Sequence, residues 1–231
     1  MIWWDNSPAT ILPDWNKAEA RNVRPALPVS RHHRCRVAPG NRTIARLRAV
    51  TTLRCSQKLL KRLRQPANLP EPPPADNPLG EWCADIDFID RIPYALLMNA
   101  ATGTMLVLPA RAADLKELHV MAARQLTGLL EVLGIDGPLA QAELDALAQP
   151  FAFARNGNRS LVASMNQRKF QIWAEFAYNQ RTAFEAALRE LETPFSRKEL
   201  GRDFHYAADL LRTRLRPSAK ILPFALSSAK H

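Results

Sequence analysis

Between Glu81 and Asp90 the chain alternates with period two. Trp82, Ala84, Ile86 and Phe88 fall on one side; Cys83, Asp85 and Asp87 fall on the other. That rhythm predicts a β-strand whose acidic side faces solvent across an antiparallel sheet. Two apolar runs follow, YALLMN (94–99) and TMLVLP (104–109), separated by AATG. They predict a hairpin turning at its glycine. From Ala112 the spacing lengthens to that of a helix: Leu115, Leu118, Ala122, Leu126, Leu129 and Leu133 make one stripe, and Gly134 supplies the stop. His119 lies beside that stripe and reads as a partly buried, hydrogen-bonded histidine. Pro138 opens a shorter helix bearing Leu139, Leu144 and Leu147, and PFAFA is a last strand. Met165, Trp173, Phe176, Phe184, Leu188 and Leu191 then mark two helices broken near YNQR, and one more amphipathic helix starts around Asp203.

Upstream, Leu53 and Cys55 alternate as in a short strand, and Ser56 can cap a helix carrying Leu59, Leu60 and Leu63. QPANLPEPPPADNP reads as a stiff, extended connector. Strands gathered early and helices later predict an α+β fold: a small antiparallel sheet of about four to five strands packed against several helices. Residues 1–50 are punctuated by Pro8, Pro13, Pro25, Pro28 and Pro39 and keep no apolar period. They are expected to be a disordered, basic extension. A second reading starts the natural chain near Val50, which the intact mass of native protein would decide. The globular domain is expected over 51–216, with a frayed tail over 217–231.

Charge changes the picture less than its total implies. The formal net charge is +10. Residues 1–64 hold 14 Lys or Arg against 3 acids, and the remaining 167 hold 18 against 19. The basicity belongs to the leading segment, so the high isoelectric point says little about what the body binds. Cys35, Cys55 and Cys83 form no close pair, which suits a reducing cytoplasm better than a disulfide framework. No stretch approaches the roughly 18 consecutive apolar residues of a membrane span, so no membrane partner is expected. Phosphate loops, dinucleotide fingerprints, H-E-x-x-H and G-x-S-x-G are all lacking from the sequence. His32, His33 and Cys35 lack a fourth metal ligand at compatible spacing. Asp85 and Asp87 share a strand face, as metal ligands would, though a polar sheet face explains them without a metal.

The densest polar cluster follows the last strand: ARNGNRSLVASMN, residues 154–166. Gly157 permits a positive-φ turn, and a helix starts near Ser160 with Asn158 or Ser160 as its cap. Arg155 and Arg159 bring two guanidinium forks to that helix end, with Ser164 and Asn166 one turn on. Open N–H groups, a positive helix terminus and paired guanidiniums suit an anion. Capping alone, with the arginines held by acids elsewhere, is the simpler explanation of the same residues.

TLRCSQKLLKRL, LGEWCADIDFI, LVLPA and NRSLVASMN together resemble an uncharacterised bacterial domain family, domain of unknown function 6933. The resemblance runs from Thr51 to about Glu175. It places the family's late segment on Asn158, Arg159, Ser160, Ser164, Met165 and Asn166. Where the family pattern has Asp after Met-Asn, this chain has Gln167, which weakens any role needing a carboxylate there. The resemblance implies a bacterial, soluble, cytoplasmic protein and carries no activity with it. Three functional expectations follow. The first is a non-catalytic binding or regulatory module whose elbow, alone or with the Gln57–Arg64 helix, meets an anionic ligand such as nucleic acid. The second is a metal-dependent phosphoester enzyme using Asp85, Asp87 and an Arg159 clamp. The third is a structural partner for another protein. The sequence leaves the cofactor open.

Overall fold

Leu53 and Cys55, the alternating apolar positions ahead of Ser56, are fully buried, and the strand they define is paired on both sides within a sheet. The computed structural model describes residues 50–66, 68–196, 201 and 203–216. The chain divides into Met1–Ala45 and Arg46–His231, and every described residue belongs to the second unit. The expectations for residues 1–49, including the late start and the His32, His33 and Cys35 group, lie outside the described residues, as does the tail after Pro217.

The strands are β1 (Thr52–Cys55), β2 (Trp82–Ile89), β3 (Ile92–Asn99), β4 (Met105–Pro109) and β5 (Ala152–Arg155), in the spatial order β4-β3-β2-β1-β5. The helices are α1 (Gln57–Arg62), α2 (Leu118–Leu133), α3 (Pro138–Leu147), α4 (Arg159–Ala177), α5 (Ala183–Leu191) and α6 (Ala207–Leu215), with a 3-10 turn at Asp114–Glu117. The α+β class and five-strand sheet agree with the sequence. The sheet is mixed, however, not antiparallel: β2, β3 and β4 form the expected meander, while β1 pairs in parallel with both β2 and β5. The reason lies in the connections. β1 reaches β2 through α1 and the Pro-rich connector, and β4 reaches β5 through α2 and α3. Such helical crossovers let strands return in the same direction.

Helices cover both faces. Trp82 and Asp85 are three residues apart on β2 and so point to opposite sides. Trp82 Nε1 donates to Glu143 in α3 at 3.2 Å, whereas Asp85 is ion-paired with Lys169 in α4. Tyr94, beside Asp87 across the β2–β3 ladder, packs on Phe176 of α4 with ring centroids 5.0 Å apart. The acidic side of β2 is therefore not the open sheet face its alternation suggested. Phe88, expected in the core with Trp82, is 51% exposed because β2 runs on beyond its neighbour β1. Trp173, expected to pack inward, is 38% exposed on α4.

The free edge of β4 is closed by a side chain. Gln125 of α2 accepts from Val107 N at 2.7 Å and donates to Val107 O at 3.0 Å, satisfying backbone groups an edge strand leaves open. The connector is tied back at Arg54, which donates to Glu81 and to Glu71, each at 2.6 Å. Gly134 ends α2 in the left-handed region, at φ 61°, as the sequence indicated. Gly103 turns the β3–β4 hairpin at φ 71°, and a Cβ there would stand 2.8 Å from the Phe195 ring.

The β2–β3 turn carried no glycine to announce it. Asp90 and Arg91 both have positive φ, 49° and 66°, the geometry of a tight type I′ hairpin turn. Arg91 bears the strain of a Cβ in that region, about 1–2 kcal/mol. Arg91→Gly, after the entropy glycine adds to the unfolded chain, is expected to stabilise the domain by about 0.5–1 kcal/mol. Urea denaturation checks it; unchanged or lower stability would refute the strain.

Candidate functional site

β1 ends at Cys55, opposite Ala84 on one side and Arg155 on the other. Beyond that point β1 gives way to α1 and β5 to α4 while β2 runs on, and a cleft of about 450 Å³ opens at the carboxyl end of the strand. Ligands of open sheets with parallel strands commonly settle at such carboxyl ends.

One wall is the start of α1. Ser56 N donates to Ala84 O at 2.9 Å, continuing the ladder by one bond. Ser56 Oγ accepts from Leu59 N at 3.2 Å, the capping role expected of it, and donates to Asp85. Asp85 also receives its neighbour's Ile86 N at 2.8 Å and the ammonium of Lys169. Lys169 reaches towards Asp87 at 4.0 Å. Ser56, Asp85 and Lys169 thus form a chain of polar contacts that fixes α1, β2 and α4 to one another.

The opposite wall is the elbow after β5. Asn156 N donates to Cys55 O at 3.0 Å, and Asn156 Oδ1 accepts from Asn158 N at 3.1 Å. Asn158 is the cap of α4, its Oδ1 accepting from Leu161 N at 3.2 Å. The turn needs no positive φ at Gly157, contrary to the expectation, because the Asn156 side chain bends the backbone instead. The helix opens at Arg159, one residue before Ser160, so Ser160 does not cap it.

The sequence-selected residues therefore separate. Arg155 and Asn166 line the cleft, as does Asp85. Asn158 is committed to capping. Arg159 and Ser160 are exposed on the first turn of α4, and Ser164 is half-buried further along it; none of the three is part of the cleft lining. Asp87 lines a neighbouring recess. Arg155 is exposed, and its guanidinium has no hydrogen-bond or ion-pair partner among the described residues. Lys58 entered the sequence reading only as part of the Gln57–Arg64 helix, and Lys169 escaped it. Lys169 was discoverable in part, since it follows Asn166 by three positions and shares its helix face. Its pairing with Asp85, 84 residues away, left no local trace.

Electrostatically the lining is cationic: Lys58, Arg155 and Lys169 against Asp85 alone. Cys55 also borders the cleft, but burial, with Cys83 and Asp85 nearby, pushes its thiol well above the ordinary range. It remains a neutral thiol, and thiolate nucleophilicity is not on offer. Asp85 and Asp87 do not present an open carboxylate pair, because an ammonium already sits on Asp85. Among the described residues no group of three or more His, Cys, Asp or Glu is placed to hold a metal ion.

An α+β domain with a mixed sheet and a polar cleft at the end of its central parallel strand is the class these observations define. The model of the family described as Domain of unknown function (DUF6933) matches residues 52–209, and the chain belongs to that family. No curated protein and no solved structure matches the chain. No helix among the described residues is long and apolar enough to cross a membrane.

Proposed function

We propose that the domain is a binding module whose cleft at the end of β1 takes an anionic group, a phosphate or carboxylate. The observation that carries this reading is Arg155: a guanidinium with no partner among the described residues, beside Lys58 and Lys169 in a cleft with one acid. A planar, permanently charged fork is suited to bidentate anion contacts. Lys169 is held in place by Asp85 and so is pre-oriented for a ligand. Buried thiols at Cys55 and Cys83 support a reducing, cytoplasmic setting.

Inorganic phosphate or tripolyphosphate is expected to raise the melting temperature of the wild type. Arg155→Ala should remove that protection, and Arg159→Ala, outside the cleft, should leave it. Protection that survives Arg155→Ala, or that Arg159→Ala alone abolishes, rejects this cleft as the site.

A second reading, metal-dependent phosphoester hydrolysis, draws on Asp85 sharing the cleft with Arg155. It requires Lys169 to leave Asp85 so that a cation can enter. Manganese-dependent hydrolysis of a bis-nitrophenyl phosphate, lost in Asp85→Asn, would establish it; no turnover above background would dispose of it.

A further inference from the structure

The cleft does not end at Lys169. Asn166 and Lys169 also line a second recess of about 370 Å³, whose walls are aromatic: Phe88, Tyr94, Phe170 and Trp173. Phe170 is 68% exposed, and its ring stacks on Trp173 with centroids 5.9 Å apart and planes inclined by 26°. Tyr178, also exposed, meets Trp173 edge-on at 5.5 Å. Large rings cluttering a surface expose apolar area for which monomeric folding gives no reason.

On its far side the recess meets the basic surface of α1. The Arg62 guanidinium lies 5.4 Å from the centroid of the exposed Phe88 ring. Arg62 in turn borders a third concavity of about 680 Å³, with Arg64, Lys116, His119 and Phe153 among its walls. The three hollows are thus linked by shared or touching side chains: cations first, then rings, then cations again.

The geometry points to a single-stranded nucleic acid as the occupant, its bases stacked on Phe170 and Trp173 and its phosphates held by the flanking cations. The inference rests on the anion-binding reading of the cleft and names the ligand class. A stripe of rings between two cationic hollows has the charge and stacking complement of an unpaired strand, whose backbone is anionic and whose bases present π-faces. A stacking surface of more than one ring and two separate cationic hollows exceed what one nucleotide fills, so a polymer fits better than a mononucleotide. Asp87, lining the aromatic recess, repels phosphate and offers an acceptor to a base amino group. It thereby favours bases in that recess and backbone to either side. Along a duplex the paired bases are covered by their neighbours and present no free faces to such a ledge.

The test uses the full chain with a fluorescein-labelled 12-nucleotide single strand, read by anisotropy over a range of salt. The salt series matters because the basic leading segment attracts any polyanion. Phe170→Ala with Trp173→Ala, both at exposed positions, is expected to weaken binding by about tenfold for each ring lost. The same pair should leave the phosphate protection that depends on Arg155 intact. Arg155→Ala should weaken the oligonucleotide and phosphate alike. Undiminished oligonucleotide affinity in the double variant, with phosphate protection retained, overturns the strand proposal and spares the cleft. Equal binding of a duplex overturns it too, and so does equal competition by a free mononucleotide. Loss of the wild-type phosphate response itself brings down both readings.

Discussion

Glu190→Ala is expected to destabilise the domain by about 3–5 kcal/mol, the usual cost of stranding one member of a buried ion pair. Glu190 on α5 is 1% exposed and Arg168 on α4 is 4% exposed. The guanidinium is ion-paired with the Glu190 carboxylate, reaches the Glu190 carbonyl at 3.4 Å, and stands 4.9 Å from the centroid of the Phe195 ring. Its Nη2 is already buried without a hydrogen-bond partner. Removing the carboxylate leaves a full positive charge in a dry interior with only a carbonyl and an aromatic face to meet it. The control is Arg168→Met with Glu190→Leu, which removes both charges and should recover most of the loss. Urea denaturation of the three proteins measures it. A double variant no better than Glu190→Ala would mean the pair contributes through shape and not through charge.

Glu143→Ala should cost about 3 kcal/mol, since it leaves several buried donors without an acceptor at once. Glu143 is fully buried on α3 and accepts from Asn77 Nδ2 at 2.9 and 3.0 Å, Leu79 N at 2.8 Å and Trp82 Nε1 at 3.2 Å. One carboxylate thereby joins the loop before β2, the core tryptophan and a helix. Burial pushes its carboxyl above the ordinary 4.5, against the pull of the Leu79, Asn77 and Trp82 donors. A native pKa raised above the unfolded one means the folded state holds that proton more tightly. The contribution is therefore fully present below about 4.5 and is lost as pH rises through the raised native value. The stability difference between wild type and Glu143→Ala should shrink over that window. A difference that stays flat, or that grows with rising pH, would contradict the shift.

Neither of these two anchors was visible in the chain read by itself. Glu143 sits in QAELDAL, where an acid on an amphipathic helix ordinarily faces water, and Arg168 sits in a run of polar residues. Their burial follows from which helix lands on which face of the sheet. Lys169 illustrates the same point at the cleft: its neighbour in sequence is the buried Arg168, its partner in space is Asp85. The Asp90-Arg91 turn escaped for another reason, since two non-glycine residues hold positive φ where the usual signal is glycine. Even Asn158, correctly read as a cap, turned out to have its side chain engaged there, while Arg155 alone of the two elbow arginines lines the cleft.

Short-range patterning determined a good deal. Ser56 before Leu59 and Leu60, Gly134 after the α2 stripe, Pro138 at the head of α3 and Asn158 at the head of α4 are each settled within a turn or two of chain, where capping and periodicity act. The tertiary structure alone decided strand direction, the exposure of Phe88 and Trp173, and the meeting of Lys58, Asp85, Arg155 and Lys169 around one cleft. The physical reason is range. Hydrogen bonds that cap and stop a helix are made between near neighbours, whereas a four-residue strand such as β1 carries too few side chains to specify its partners. The rest of the molecule, by burying what it can, chooses them.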